Sequence, residues 1–117
     1  MPQLETALAS LAAHAGVEHV LVLGRDGLLI AHTGDGGLDA ETVSAMVPGV
    51  ASAATELGRA TGHGGANTVV ARLDDGVALV AVLNDEVLLA VLLRGDVGFA
   101  PLLRDLAQRR DELAGLV

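Results

Sequence analysis

The sequence predicts an α/β sandwich of the α+β kind, a five-stranded antiparallel sheet with helices on both faces, and three observations carry that prediction. The first is the stretch from Val17 to His32, in which two runs rich in Val, Leu and Ile flank Arg25-Asp26-Gly27. Asp-Gly supplies the positive-φ residue that a tight hairpin requires. The second is parity: Val20 and Val22 point one way, Leu21 and Leu23 the other, and all four are apolar, so both faces of the sheet need cover. The third is connectivity. Most sheets buried on both faces are parallel, whereas a tight hairpin is antiparallel by construction, which leaves helices above and below an antiparallel sheet.

Each element then has its own signal. Leu4, Ala7, Leu8, Leu11 and Ala15 share one side of a first helix that closes at Gly16, a residue suited to the C-terminal cap. After the hairpin, Thr33-Gly34-Asp35-Gly36-Gly37 is too rich in glycine to continue a strand. Asp39 stands as the N-cap of a second helix running from about Ala40 to about Thr61, with Glu41 in its first turn. Val43, Met46, Val47, Val50, Ala53, Ala54 and Leu57 form the apolar stripe of that helix, and Glu41, Ser44, Pro48, Ser52, Thr55 and Arg59 the opposite face. Pro48 removes one helical hydrogen bond, and two helices meeting at Pro48-Gly49 are the alternative. Asn67–Leu73, Val77–Leu83 and Val87–Leu93 read as three strands of a meander, joined by Asp74-Asp75-Gly76 and Asn84-Asp85-Glu86. A last helix, starting between Asp96 and Pro101, sets Phe99, Leu102, Leu103, Leu106, Leu113 and Val117 on one face. The order is α-β-β-α-β-β-β-α.

Composition narrows the function. A chain of 117 residues suits one domain spanning 1–117, able to bury roughly two-thirds of its unfolded surface. Phe99 is its only aromatic residue, so stacking on bases is not available to it. Fifteen acidic residues against seven arginines give a formal charge of −8, which repels phosphate backbones and anionic lipid. No nucleic-acid partner is expected. Without cysteine the chain has no disulfide, thiolate metal site or Cys nucleophile, a composition compatible with the cytoplasm, the expected location. No basic and apolar leader opens the sequence. Asn84-Asp85-Glu86 divides the apolar stretch from Val77 to Leu93 into halves far short of the ~20 residues a membrane span needs, so no direct membrane insertion is expected.

A search for chemistry finds no catalytic constellation. The loop Gly34-Asp35-Gly36-Gly37 lies where phosphate-binding loops lie, between a strand and a helix N-terminus. It lacks the Gly-Lys-Ser/Thr of a P-loop and the spaced glycines of a dinucleotide fingerprint, and Asp35, Asp39 and Glu41 place negative charge where a phosphate would go. It reads as a flexible connection. His14, His19, His32 and His63 show no metal-ligand spacing; His19 and His32, on opposite arms of the hairpin, read as a cross-strand pair, surface or interfacial. Ser10, Ser44 and Ser52 fall inside helices, away from any nucleophile elbow. Asp74-Asp75 and Asp85-Glu86 are turn formers, and Arg109-Arg110 beside Asp111-Glu112 reads as a solvated helix face. No catalytic, cofactor-binding or metal residue is assigned, and no cofactor is expected.

With this element order, the chain resembles the roadblock (dynein light chain) family, in particular its bacterial, actinobacterial-style branch. Three stretches carry the resemblance: Ala15-Gly16-Val17 leading through Val20–Leu23 to Arg25-Asp26-Gly27-Leu28-Leu29-Ile30-Ala31; Asp75-Gly76-Val77-Ala78-Leu79-Val80; and Leu88-Leu89-Ala90-Val91-Leu92 running to Asp96-Val97-Gly98-Phe99. Pro48 departs from the family's uninterrupted second helix. The resemblance implies a roadblock/profilin-like sandwich and a non-catalytic, dimerising domain that regulates or scaffolds small Ras-like GTPases, in bacteria often beside a sensor-histidine-kinase-like partner, which can recruit it to the membrane. Dimerisation in the family pairs the third strands antiparallel and packs the second helices together.

The residues support such a dimer independently, because an apolar edge strand from Asn67 to Leu73 is an aggregation hazard that pairing with its own copy removes. The expected homodimer interface is Met46, Val50, Ala53, Leu57, Thr68, Val70 and Arg72, and the expected partner-binding surface is Ser44, Ala45, Ser52, Thr55, Glu56 and Arg59. Two rival readings are a structural dimer subunit of a sensory complex without effect on GTPase turnover, and a small nucleotide- or acyl-handling enzyme using the Gly34–Gly37 loop.

Overall fold

In the computed structural model, which describes residues 2–117, strands β1 (Val17–Gly24) and β2 (Leu29–Gly34) form the hairpin. Gly27 takes φ +86 in its turn, and Asp26 Oδ1 accepts from the Leu28 amide at 3.0 Å. β1 also pairs with β5 (Val87–Arg94), β5 with β4 (Gly76–Val82) and β4 with β3 (Thr68–Leu73), every pair antiparallel. The sheet order is β2-β1-β5-β4-β3, so β2 and β3 are the edges.

The parity of β1 divides the core as the sequence predicts. Val20 and Val22 enter a cluster under helices α1 (Pro2–Ala12) and α3 (Ala100–Gly115), while Leu21 and Leu23 enter a second cluster under α2 (Ala40–Ala60). β5 is the middle of both clusters: Leu89, Val91 and Leu93 face one, Leu88 and Ala90 the other. Burying a Val or Leu side chain contributes roughly 1.5–3 kcal/mol, so a core of aliphatic residues needs no aromatic plug. β2, with one edge open, alternates half-buried and exposed residues.

Several boundaries and faces differ from the sequence reading. The first helix ends at Ala12, and residues 13–16 form a turn that places Gly16 at φ +83 and leaves Ala15 exposed. α3 begins at Ala100; Phe99 occupies its N-cap position, packed against the larger cluster, and Val117 is exposed.

α2 is continuous through Pro48, which settles the choice in favour of one helix. Its N-terminus is closed by Asp39, whose Oδ1 accepts from the Thr42 amide at 3.1 Å and whose Oδ2 accepts from the Thr42 hydroxyl at 2.6 Å. The face of α2 that meets the sheet differs from the predicted stripe. Ser44, Val47 and Ala51 are buried, with Val43, Pro48, Ala54, Thr55 and Gly58 half-buried, while Met46, Val50, Ala53 and Leu57 are exposed. The reason is close approach: small residues let the helix lie near the sheet and the neighbouring loops. Ser44 Oγ donates to the Gly27 carbonyl at 2.8 Å, and a Cβ on Gly58 would overlap the Gly64 carbonyl oxygen.

Candidate interaction surface

The outward side of α2 carries two parallel rows. Met46, Val50, Ala53 and Leu57 recur at helical spacing, and the three large ones are 67%, 42% and 66% exposed. A soluble domain rarely leaves such a row uncovered. Beside it lie Ala45, Ser52, Glu56 and Arg59, all exposed. Of the predicted partner-binding residues, Ser44 is excluded, because it is fully buried beneath Gly27. Thr55 is only half-available: its hydroxyl accepts from the Ala66 amide at 3.2 Å, pinning the loop that follows α2. Ser52, Glu56 and Arg59 converge with Arg25 and Asp85 on a groove between α2 and the tips of the two hairpins.

On the edge strand, register decides which way side chains face. Thr68, Val70 and Arg72 pair with Ala81, Leu79 and Val77, residues of the α1/α3 cluster. They therefore face α3 and not α2. Two are already engaged there: Arg110 Nη2 donates to Thr68 Oγ1 at 2.9 Å, and the Arg72 guanidinium lies 5.5 Å from the centroid of the Phe99 ring. Val69 packs on the α2 side; by alternation Ala71 and Leu73 share that side, and Leu73 is exposed. Leu73, missed in the sequence, lies on the same side of the sheet as the exposed row of α2, and alternation along β3 was the signal that could have found it. Met46, Val50, Ala53 and Leu57 thus lie on one side of the sheet and Thr68, Val70 and Arg72 on the other, with the β3 backbone edge between them.

Several other polar groups are committed to structure. His14 Nε2 and Asp105 Oδ2 lie 2.8 Å apart, and Arg109 joins them, bonded to Ser10 Oγ and Glu112 as well. This network clamps α1 to α3, and Arg110 turns to Asn67 and Thr68, so neither arginine belongs to the solvated face that the sequence suggests. His19 Nδ1 and His32 Nε2 lie 3.1 Å apart across β1 and β2, the predicted surface pair. No serine hydroxyl among the described residues bonds a histidine, and no group of three or more His, Asp or Glu stands close enough to hold a metal ion. At the Gly34–Gly37 loop, the Asp39 carboxylate takes the place at the α2 N-terminus that an anion would need. Its two bonds from Thr42 hold that carboxyl below its ordinary pKa. No helix among the described residues is long and apolar enough to cross a membrane.

The sequence profile of the Roadblock/LC7 domain matches residues 3–93, from α1 to the end of β5. The chain belongs to the Roadblock/LC7 family. Solved structures agree on the fold. Myxococcus xanthus MglB is 16% identical with a TM-score of 0.87, covering 97% of this chain and 94% of that one. An MglB with a tetrameric arrangement is 16% identical at TM-score 0.88, covering 98% and 88%. A Roadblock/LC7 domain from Streptomyces avermitilis is 22% identical at TM-score 0.84, covering 99% and 96%. None of the curated proteins matches. The roadblock fold here is three helices on a five-stranded antiparallel sheet, with α3 lying beyond the matched segment.

Proposed function

We propose that this roadblock domain is a non-catalytic homodimeric module of the cytoplasm that regulates or scaffolds a small Ras-like GTPase. One observation carries the reading: Met46, Val50 and Leu57 stand exposed in a row on α2, on the same side of the sheet as Leu73 of the open β3 edge. A twofold axis normal to the sheet pairs β3 with its copy and packs the Met46–Leu57 row of each chain against that of the other. Such a surface is self-complementary, and ~800 Å² per partner makes a standard interface. Family membership supports the dimer, and the tetrameric arrangement of a solved MglB supports self-association.

In that dimer the second row, Ala45, Ser52, Glu56 and Arg59, stays outward on two adjacent helices. It forms a shallow platform in which small residues allow close approach and charges set orientation. A GTPase docks there, and a sensor-kinase-like protein completes the signalling complex.

The test is a double charge reversal, Glu56→Arg with Arg59→Glu. It leaves the dimer and its melting temperature nearly unchanged, because exposed substitutions cost under ~0.5 kcal/mol, and weakens the cognate GTPase about tenfold or more. The GTPase is sought first among neighbouring reading frames carrying Gly-x-x-x-x-Gly-Lys-Ser/Thr. Joint loss of dimer and partner places the row in the self-interface. Binding that survives the reversal moves the docking site to the α1/α3 face, and a bound GTPase whose turnover does not change makes the chain a scaffold.

A further inference from the structure

Arg110 is a charge without a counter-charge. Its Nη2 donates to the Asn67 carbonyl at 3.2 Å and to Thr68 Oγ1 at 2.9 Å, while its Nε is shut off from solvent with no acceptor. No carboxylate of the described residues forms an ion pair with it, whereas its neighbour Arg109 has two. A partly desolvated guanidinium is costly until an anion compensates it. The opposite end of β3 carries the converse imbalance. Asp74 and Asp75 form the exposed turn to β4, neither is in an ion pair, and the Arg94 nearby is taken by Asp96.

We propose that these two ends complete one another between copies of this chain: the partner's Asp74 and Asp75 supply the counter-charge of Arg110, once on each side of the twofold axis. This rests on the pairing of β3 edges proposed above. Identical strands running antiparallel about that axis pair residues that share a face; with Ala71 opposite the partner's Ala71, Thr68 stands opposite the partner's Asp74 and Asn67 opposite the partner's Asp75. The next register that keeps the faces matched, Val70 opposite the partner's Val70, displaces the turn by two residues, about 6.6 Å, a span comparable to an arginine side chain. An axis normal to the sheet also keeps α3 on the same face in both copies, so Arg110 approaches the partner's acidic turn from the face on which its own α3 lies.

Arg72 is the other charge on that face near the axis. Its guanidinium is drawn back over its own Phe99, which holds the partner's Arg72 away from Arg110. The same arrangement selects strand direction. Parallel pairing brings like ends of the two strands together, the acidic turns side by side, whereas antiparallel pairing joins opposite charges at both ends. The ion pair is thus a device that fixes orientation and register of the dimer.

Sedimentation of four forms of the full chain tests this: the parent, Arg110→Glu, Asp74→Arg with Asp75→Arg, and all three changes together. The turn variant is included because those two positions are exposed and their replacement leaves the fold intact. Each reversal alone raises the dimer dissociation constant about tenfold or more, and the triple change restores it to within about threefold of the parent. A parent that is dimeric but indifferent to the turn reversal overturns the ion pair and leaves the dimer reading standing. Weakening by the single reversals without rescue in the triple variant also overturns the ion pair, and confines Arg110 to holding Asn67 and Thr68 of its own chain. A monomeric parent overturns the dimer reading and the ion pair with it.

Discussion

Ser44 Oγ donates to the carbonyl oxygen of Gly27 across 2.8 Å, from the second turn of α2 to the tip of the β1–β2 hairpin. Ser44 is fully buried and Gly27 half-buried, and Gly27 holds a positive φ of 86° with Ala45 Cα close above it. This bond fixes the register of the helix N-terminal turns against the hairpin tip. Ser44→Val removes the donor, leaving the half-buried Gly27 carbonyl without this partner, at a cost of about 1–3 kcal/mol. The expected outcome is a fall in melting temperature of roughly 5 °C or more, read by circular dichroism at one fixed protein concentration. An unchanged melting temperature refutes the role assigned to the bond.

The exposed row on α2 makes a different kind of prediction. Met46→Asp and Leu57→Asp remove little from the monomer core, because both side chains are about two-thirds exposed. Each raises the dimer dissociation constant at least ~tenfold while leaving the far-ultraviolet spectrum unaltered. Ultracentrifugation over a range of concentrations decides it, and a dimer indifferent to both substitutions places the interface elsewhere.

Two glycines respond oppositely to alanine. Gly58 lies where α2 passes the Gly64 carbonyl, and a Cβ there forces the following loop outward, costing about 1–3 kcal/mol. Gly37 has open space around it and no left-handed backbone, so alanine there stabilises by about 0.4–1 kcal/mol through the unfolded chain. Urea unfolding of both variants against the parent measures the contrast; similar shifts at the two sites contradict it.

These cases also show what was readable in the sequence. Element order and the two-sided sheet were legible because strand parity and the Asp26-Gly27 turn are local signals, and β1 alone decides which residues enter which core. The inner side of α2 was not. Hydrophobic periodicity assumes that the most apolar stripe faces inward, and here the large apolar residues Met46, Val50 and Leu57 face outward while Ser44 and Ala51 allow close packing within. A helix with a second surface to cover defeats that assumption. The exclusion of Ser44 from the partner-facing row follows from the same inversion. Arg110 was illegible for another reason: its partners Asn67 and Thr68 lie more than forty residues away in sequence.

The N-cap of α2 gives a pH prediction. Thr42 bonds hold the Asp39 carboxyl below its ordinary pKa in the folded chain. Its contribution to stability is therefore fully present above the unfolded value and is lost as the pH falls through the folded one. The melting-temperature gap between the parent and Asp39→Ala stays constant from pH 7 to 5 and narrows below about pH 4. A gap that widens on acidification overturns the capping role.

Strand β5 lies between β1 and β4 and has a packed core on each face. Its amides from Leu88 to Leu93 are the part of the chain that water reaches last, so their hydrogen–deuterium exchange proceeds only through global unfolding and times it. The outer strands exchange through smaller, local openings. The two edges consequently report on different events: amides of β3 slow when two chains join through that edge, while those of β2 continue at the rate of a free border. Comparing the two edges at several protein concentrations turns the sheet into a record of which border has been closed.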